Sequence, residues 1–272
     1  MWDYVRNDQP FGGPAPPGVV FYYSRNRKGE HPRAHLANYT GILQVDRYAG
    51  FNEMFKAGWA DKPMTRANCW AHSRRQFFEL ADIATQMKRK KKGAAPIISP
   101  LAVVALQRID RIFDIEREIN GKSAAERLAV RKEQVAPIVK ELEGWMREHR
   151  NILSRHDPVA KAINYLLNDW QGFINFLGDG RICLTNNAAE REVRGIARGR
   201  KAWLFVGSDR GGERAAMMYS LIQTCRLNDV DPLVWLTDVL ARIADLPQSR
   251  LHELLPWNWK ALRQAETMEM AA

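Results

Sequence analysis

A chain of 272 residues, 46% apolar and 26% charged, has the composition of a globular protein with a core of ordinary size, in one large domain or two modest ones. Lysine and arginine number 41 against 31 acidic residues, and the formal charge of +10 favours a polyanionic partner, nucleic acid being the commonest. The opening Met-Trp-Asp-Tyr-Val-Arg-Asn-Asp has no signal-peptide pattern, and no apolar run approaches the ~18 residues of a membrane span. Cys69, Cys183 and Cys225 are scattered with no Cys-x-x-Cys pair, which speaks against a disulfide framework or zinc knuckle and suits a reducing cytoplasm.

In chain order, Trp2–Arg6 is a short β-prone run, followed by the turn-rich connection Phe11-Gly-Gly-Pro-Ala-Pro-Pro-Gly18. Val19–Ser24 is the strongest strand signal in the chain. Pro32 suits the first turn of a short helix through Tyr39. Gly41–Val45 gives another strand, which delivers Asp46 into the aromatic turn Tyr48-Ala-Gly-Phe51. These elements predict the beginning of an α/β sheet, to which Cys69–His72 adds one more short strand.

From Arg74 onward the pattern is helical. Lys88–Lys92 and Gly93-Ala-Ala-Pro96 mark a solvated break, after which Ala105, Ile109, Ile112 and Ile119 recur at helical spacing. Ser123-Ala-Ala-Glu126 is a capping box that opens a second long helix toward Arg147. Asp157-Pro158 is an N-cap followed by proline, opening a helix over Val159–Leu177. Residues 84–156 thus read as a helical hairpin inserted into the sheet domain. Beyond the turn Gly178–Arg181, the chain predicts a helix carrying Glu190, a strand-like Trp203–Val206, and helices over Glu213–Leu227 and Pro232–Ile243. An aromatic plug, Leu254–Trp259, and a frayed end close the chain.

Residues 186–214 carry the densest chemistry. Glu190 stands in the first turn of its helix, amid Arg191, Arg194, Arg198, Arg200, Lys201 and Trp203. The bland account is a Glu favoured by the helix dipole by ~0.3–1 kcal/mol, with arginines on a solvated face and Trp203 in the core. The functional account brings Glu190 and the strand-end Asp46 together to hold a divalent ion. Hard cations such as Mg²⁺ take carboxylate oxygens plus substrate phosphate, and two ions ~3.5–4 Å apart clamp an in-line phosphoryl transfer. Such chemistry normally needs three acidic ligands, and spacing names no third. His31 and His35 stand at i,i+4 without the Glu of a zinc-protease motif, and there is neither a phosphate-binding Gly-rich loop nor a nucleophile elbow.

Several stretches, in order, resemble one family: Arg6–Gly13, Gly29-Glu-His-Pro32, Leu43-Gln-Val-Asp-Arg-Tyr-Ala-Gly-Phe51, Cys69-Trp-Ala-His-Ser-Arg-Arg75, Asn186–Arg194, Gly199-Arg-Lys201, Trp203–Ser208, Asn228–Pro232 and Leu254–Trp259. Together they resemble the C-terminal catalytic portion of an insertion-sequence-66-type transposase. The resemblance implies an α/β, ribonuclease-H-like fold with a helical insertion and a helical C-terminal extension. It assigns 1–83 and 157–228 to the two parts of the catalytic domain, 84–156 to the insertion and 229–272 to the C-terminal element and tail. It further implies an Asp-Asp-Glu triad binding two Mg²⁺ or Mn²⁺ ions, in which Asp46 matches the second Asp and Glu190 the Glu. The expected reaction is cleavage at the element's ends and attack of the freed 3′-hydroxyl on target DNA.

Arg74, Arg75, Arg191, Arg194, Arg198, Arg200 and Lys201 are the expected DNA-binding residues. The expected partners are end and target DNA and further copies of the chain or full-length transposase, with no membrane. The family's first catalytic Asp belongs to a strand that would precede Trp2, and Asp3 does not match it, so the fold is expected to lack its first strand and the chain to be truncated and inactive alone. Arg47 stands where the family pattern usually has Gly, and Thr185 where Asp is common. A non-catalytic DNA-binding or transposase-interacting regulator is the alternative from another class, and a decaying remnant prone to aggregate is a third.

Overall fold

Alternating side chains in Trp2–Arg6 and Gly18–Tyr22 make two strands, β1 and β2, which pair antiparallel with Trp2 opposite Tyr22 and Arg6 opposite Gly18. The computed structural model describes residues 1–56, 58–59, 64–81, 99–199 and 206–271. It divides into two units, one of residues 1–9, 14–27 and 187–272, the other of residues 10–13 and 28–186. The expected strand at Trp203–Val206 and the Lys88–Lys92 run lie outside the described residues, apart from Val206 itself.

In the first unit, Val19 and Phe21 turn to one face of the ribbon and are buried with Ile196 of α8 (Asn187–Gly199) and Ala216 of α9 (Asp209–Leu227). Helix α9 also covers the open edge of β2. The Phe21 amide donates to Ser220 Oγ at 2.8 Å, and the Val19 amide donates to Thr224 Oγ1 at 3.2 Å. Side-chain hydroxyls thus take the place of a further strand on amides that would otherwise invite edge-to-edge association. Helix α10 (Pro232–Arg242) is opened by Asp231, whose Oδ1 accepts from the Leu233 and Val234 amides. Trp235, Val239, Cys225, Val230 and Leu254 close a second small core. The tail expected to fray is helical, as α11 over Pro256–Ala271, and Trp259 Nε1 donates to Asp238.

In the second unit, β3 (Ile42–Val45) and β4 (Thr65–Asn68) pair in parallel. The expected strand at Cys69–His72 is not one. The ladder ends where the Cys69 amide donates to Val45 O at 3.0 Å, and α2 (Trp70–Ala81) begins at the next residue. Trp70, Ser73, Phe77 and Ala81 are all buried, a helical period that the apolar Cys-Trp-Ala run masks when read alone. α1 (Glu30–His35) precedes β3, and α3 (Pro100–Glu118) buries Ala105, Ile109 and Ile112 as the spacing predicts.

The Ser123–Glu126 capping box forms and opens α4 (Ala124–Val130). The helical run continues through a π turn, Arg131–Val135, into α5 (Ala136–Ile152). Pro137 lacks the amide that a regular α turn would use there, which accounts for the wider turn just before it. Asp157 caps α6 (Pro158–Leu167) through a 2.7 Å bond from the Val159 amide. The single helix expected over 159–177 is broken at Asp169, before α7 (Trp170–Ile174) and a 3₁₀ turn. The Asp169 carboxylate accepts from Asn68 Nδ2 and pairs with Arg66 Nε, each at 2.9 Å, and these distant partners fix the break. Among the described residues, no helix is long and apolar enough to cross a membrane.

Candidate catalytic carboxylates and basic groove

Asp46 follows directly on β3 and is half-buried. Its Oδ1 accepts from the Tyr48 amide at 2.9 Å, a local turn that orients the carboxylate, and its carbonyl accepts from the Tyr165 hydroxyl at 3.2 Å. No ion pair to Asp46 occurs among the described residues. Arg47, next along, has φ +65°, the left-handed conformation glycine favours. Its guanidinium lies 4.4 Å from the centroid of the Tyr165 ring and donates to Tyr165 O, so side-chain anchorage offsets the backbone cost.

The chain that leads toward Glu190 is fastened to the strand that leads to Asp46. Gln44 Nε2 donates to Cys183 O at 2.6 Å, and the Trp70 amide donates to Leu184 O at 3.0 Å. From the other side come two buried arginines. Arg131 is 0% exposed, and its guanidinium meets Glu116 at 2.6 and 2.8 Å, Phe176 O and Asp179 O at 3.0 Å and Ile182 O at 2.8 Å. All five of its N–H donors are thereby used. Arg127 shares Glu116 at 3.3 Å and donates to Pro10 O at 3.0 Å. Sequence reasoning missed this cluster, although two arginines at i,i+4, unfavourable as surface neighbours, were a signal that something paired them.

Glu190 is half-buried in the first turn of α8, in the unit that does not contain Asp46. Beside it in that unit lie Glu192 and Asp3. Asp3 sits on the inner face of the ribbon with Val5, Val19 and Phe21, and its Oδ2 is buried without a hydrogen-bond partner. Burial, with Glu192 and then Glu190 adding repulsion, pushes its carboxyl up to about 7. Burial likewise raises Glu192, while Arg191 and Arg226 oppose it.

The predicted arginines divide into two sets. Arg74 is paired with Asp110, Nε to Oδ1 at 2.5 Å, and lies over the Phe78 ring, while Arg75 meets Glu79 at 3.2 Å. Arg191, Arg194 and Arg198 are exposed on α8 and line an open basin of about 430 Å³ with Glu192, Gly195, Gln223, Arg226 and Leu227. Gln223 and Arg226 were not anticipated; they follow the polar face of α9, which its sequence discloses only weakly. Arg200 and Lys201 lie outside the described residues.

Carboxylate oxygens are the donors Mg²⁺ and Mn²⁺ prefer, so Asp46 and Glu190 suit such an ion in chemical type. Among the described residues, no group of three or more Asp, Glu, His or Cys side chains is arranged to hold a metal.

Comparison with known proteins gives these features a context. Residues 1–214 match the Transposase IS66 family, whose domain is of the DDE type and implies a ribonuclease-H-like fold, and residues 220–257 match the IS66 C-terminal element. The chain therefore belongs to the IS66 family of transposases. Three proteins of Sinorhizobium fredii are similar along nearly all of it. The uncharacterized protein y4hP is 53% identical over 98% of the chain and 48% of its own length. The uncharacterized proteins y4jD and y4qI are 35% and 36% identical, each over 96% of the chain and over 49% and 47% of their own lengths. The chain thus spans about half the length of these relatives. No solved structure matches it.

Proposed function

We propose that these residues act in the catalytic portion of an IS66-type transposase, with Asp46 and Glu190 sharing divalent metal at the DNA strand to be cut and joined. One observation carries the reading: the segment that runs into α8 is bonded through Cys183 O to Gln44 on the strand that ends at Asp46. Only seven positions of sequence separate Cys183 from Glu190. The half-buried setting of both carboxylates and the turn that orients Asp46 fit the same role.

The metal would supply charge neutralisation at the transferring phosphate and activation of the attacking hydroxyl. The protein's part is positional. Asp46 and Glu190 present oxygens, the Arg131 clamp holds the approach to α8, and cations on α8 hold phosphates in line. The fold is proposed to be that of the ribonuclease H class with 84–156 as its helical insertion.

A transposase carrying this chain is expected to join element-end DNA to a target in Mg²⁺. In it, Asp46→Asn or Glu190→Gln should lower joining by at least ~10³-fold with DNA binding retained. Joining undiminished by both substitutions overturns the assignment. A binding-only regulator is the second reading, favoured by the lack of a three-ligand cluster among the described residues. It predicts that Asp46→Asn does not matter.

A further inference from the structure

Helix α10 buries one side and leaves the other bare. Trp235 and Val239 close the small core with Leu254, while Leu233 is 74% exposed, Leu240 66%, Val234 57% and Ile243 46%. Ile243 keeps helical backbone angles, φ −62° and ψ −31°, and its amide donates to Val239 O at 2.9 Å, so the helical path carries on to Ala244. At about 100° per residue, positions 233, 237, 240 and 244 fall on one line along the outward side. Val234 and Ala241 flank that line on one edge, Leu236 and Ile243 on the other. Single exposed aliphatic side chains are ordinary, but a continuous strip marks a contact surface.

Two features identify what covers the strip. The first is charge. With a formal charge of +10, copies of the chain repel one another, and a contact between them is favoured where no cations face each other. The strip carries no charged side chain. The helix's own charges turn aside: Asp238 accepts from Trp259 Nε1 at 2.8 Å and pairs with Arg242 at 3.0 Å and with Arg263. An acidic partner finds no cation on this face, and a phosphate backbone finds no donor to match it.

The second feature is the order of sizes. The central line reads Leu233, Thr237, Leu240, Ala244, large and small in alternation. Reversed end for end, it reads small and large. Two copies laid antiparallel about a two-fold axis between residues 238 and 239 therefore set Leu233 against the second copy's Ala244, and Thr237 against its Leu240. Each large side chain meets a gap, and the opposed helix dipoles attract. A parallel pair would instead set each residue against its own kind, with gaps at 237 and 244.

We infer that the outward face of α10 is the surface through which two copies of this chain associate, antiparallel, by an isologous two-fold contact. The inference stands apart from the Asp46–Glu190 metal reading. A single helix face falls short of the ~800 Å² per partner of a standard interface, so the pair dissociates in the micromolar range.

Sedimentation velocity of the nuclease-treated chain from about 1 to 200 µM tests this. The dimer fraction should rise across that range and hold or increase in about 0.5 M NaCl, where repulsion between copies is screened. Leu240→Glu should raise the dissociation constant at least ~30-fold with circular dichroism unchanged. Ile152→Glu, also at an exposed position, should leave it unaltered. Cysteine coupling checks the direction. In the antiparallel pair the two copies of position 237 lie about 4.5 Å apart along the axis and those of position 244 roughly 16 Å. A short bismaleimide should therefore couple Thr237→Cys but not Ala244→Cys. A chain monomeric at the top of the range, a dimer indifferent to Leu240→Glu, a dimer that requires nucleic acid, or coupling through Ala244→Cys overturns the inference. So does a monomeric chain whose Leu240→Cys variant reacts with maleimide alone but is shielded within a longer protein, because the rest of that protein then covers the face.

Discussion

Two groups of arginines in this protein are used in opposite ways. On α4 and the π turn that follows it, Arg127 and Arg131 are buried and share Glu116, and every remaining Arg131 donor goes to a main-chain carbonyl. On α8 and α9, Arg191, Arg194, Arg198 and Arg226 face an open basin with no carboxylate paired to them among the described residues. The first arrangement converts charge into a fixed backbone path for residues 176–182. The second leaves charge available to a partner. Arginine count alone therefore says little about where nucleic acid binds, and the distribution of carboxylates says much more.

The contrast implies very different responses to neutralising substitutions. Arg131→Met leaves buried Glu116 with only its 3.3 Å contact to Arg127 and strips three main-chain carbonyls of a donor, and should cost about 3–5 kcal/mol in urea denaturation. Replacing Glu116, Arg127 and Arg131 together by Leu and Met should recover much of that loss, because no uncompensated charge remains. A loss below 1 kcal/mol for Arg131→Met would show that the cluster holds nothing in place. Arg191→Gln, Arg194→Gln and Arg226→Gln, at exposed positions, should each shift stability by no more than ~0.5 kcal/mol in the same measurement.

A smaller and pH-dependent effect belongs to Asp3. Its carboxyl is raised to about 7 in the fold, above its ordinary value of 3.8, so between those limits the folded state holds more protons than the unfolded. Stability from this group is therefore full below about pH 4, declines as pH rises toward 7 and stays low above it. Asp3→Asn should abolish this decline and stabilise the chain at pH 8 by a few kcal/mol at most, on the order of 2. A wild-type stability profile flat from pH 4 to 7 would show that Asp3 is solvated.

Local chemistry was legible wherever the cause is local. Ser123 with Glu126 and Asp157 before Pro158 each form the cap that the sequence spells out. Misreadings arose where distant residues decide. Asn168-Asp169 reads as helix interior, yet Arg66 and Asn68 capture Asp169 and break the helix there. Cys69–His72 reads as an apolar strand, but its period emerges only with Phe77 and Ala81 included. At the candidate site, the motif stretches single out Asp46 and Glu190. Gln44, Arg127, Arg131 and Arg226 stayed hidden because their roles lie in tertiary partners, which no local spacing reveals.

Iron-directed cleavage gives the most direct test of the shared metal site. With Fe²⁺ in place of Mg²⁺, ascorbate and peroxide generate radicals that cut the backbone beside the ion's ligands. The account predicts fragments ending near residue 46 and near residue 190 in the same sample, both suppressed by excess Mg²⁺ and both lost in Asp46→Asn. Cleavage near one residue alone, or cleavage near 190 that survives Asp46→Asn, would contradict it.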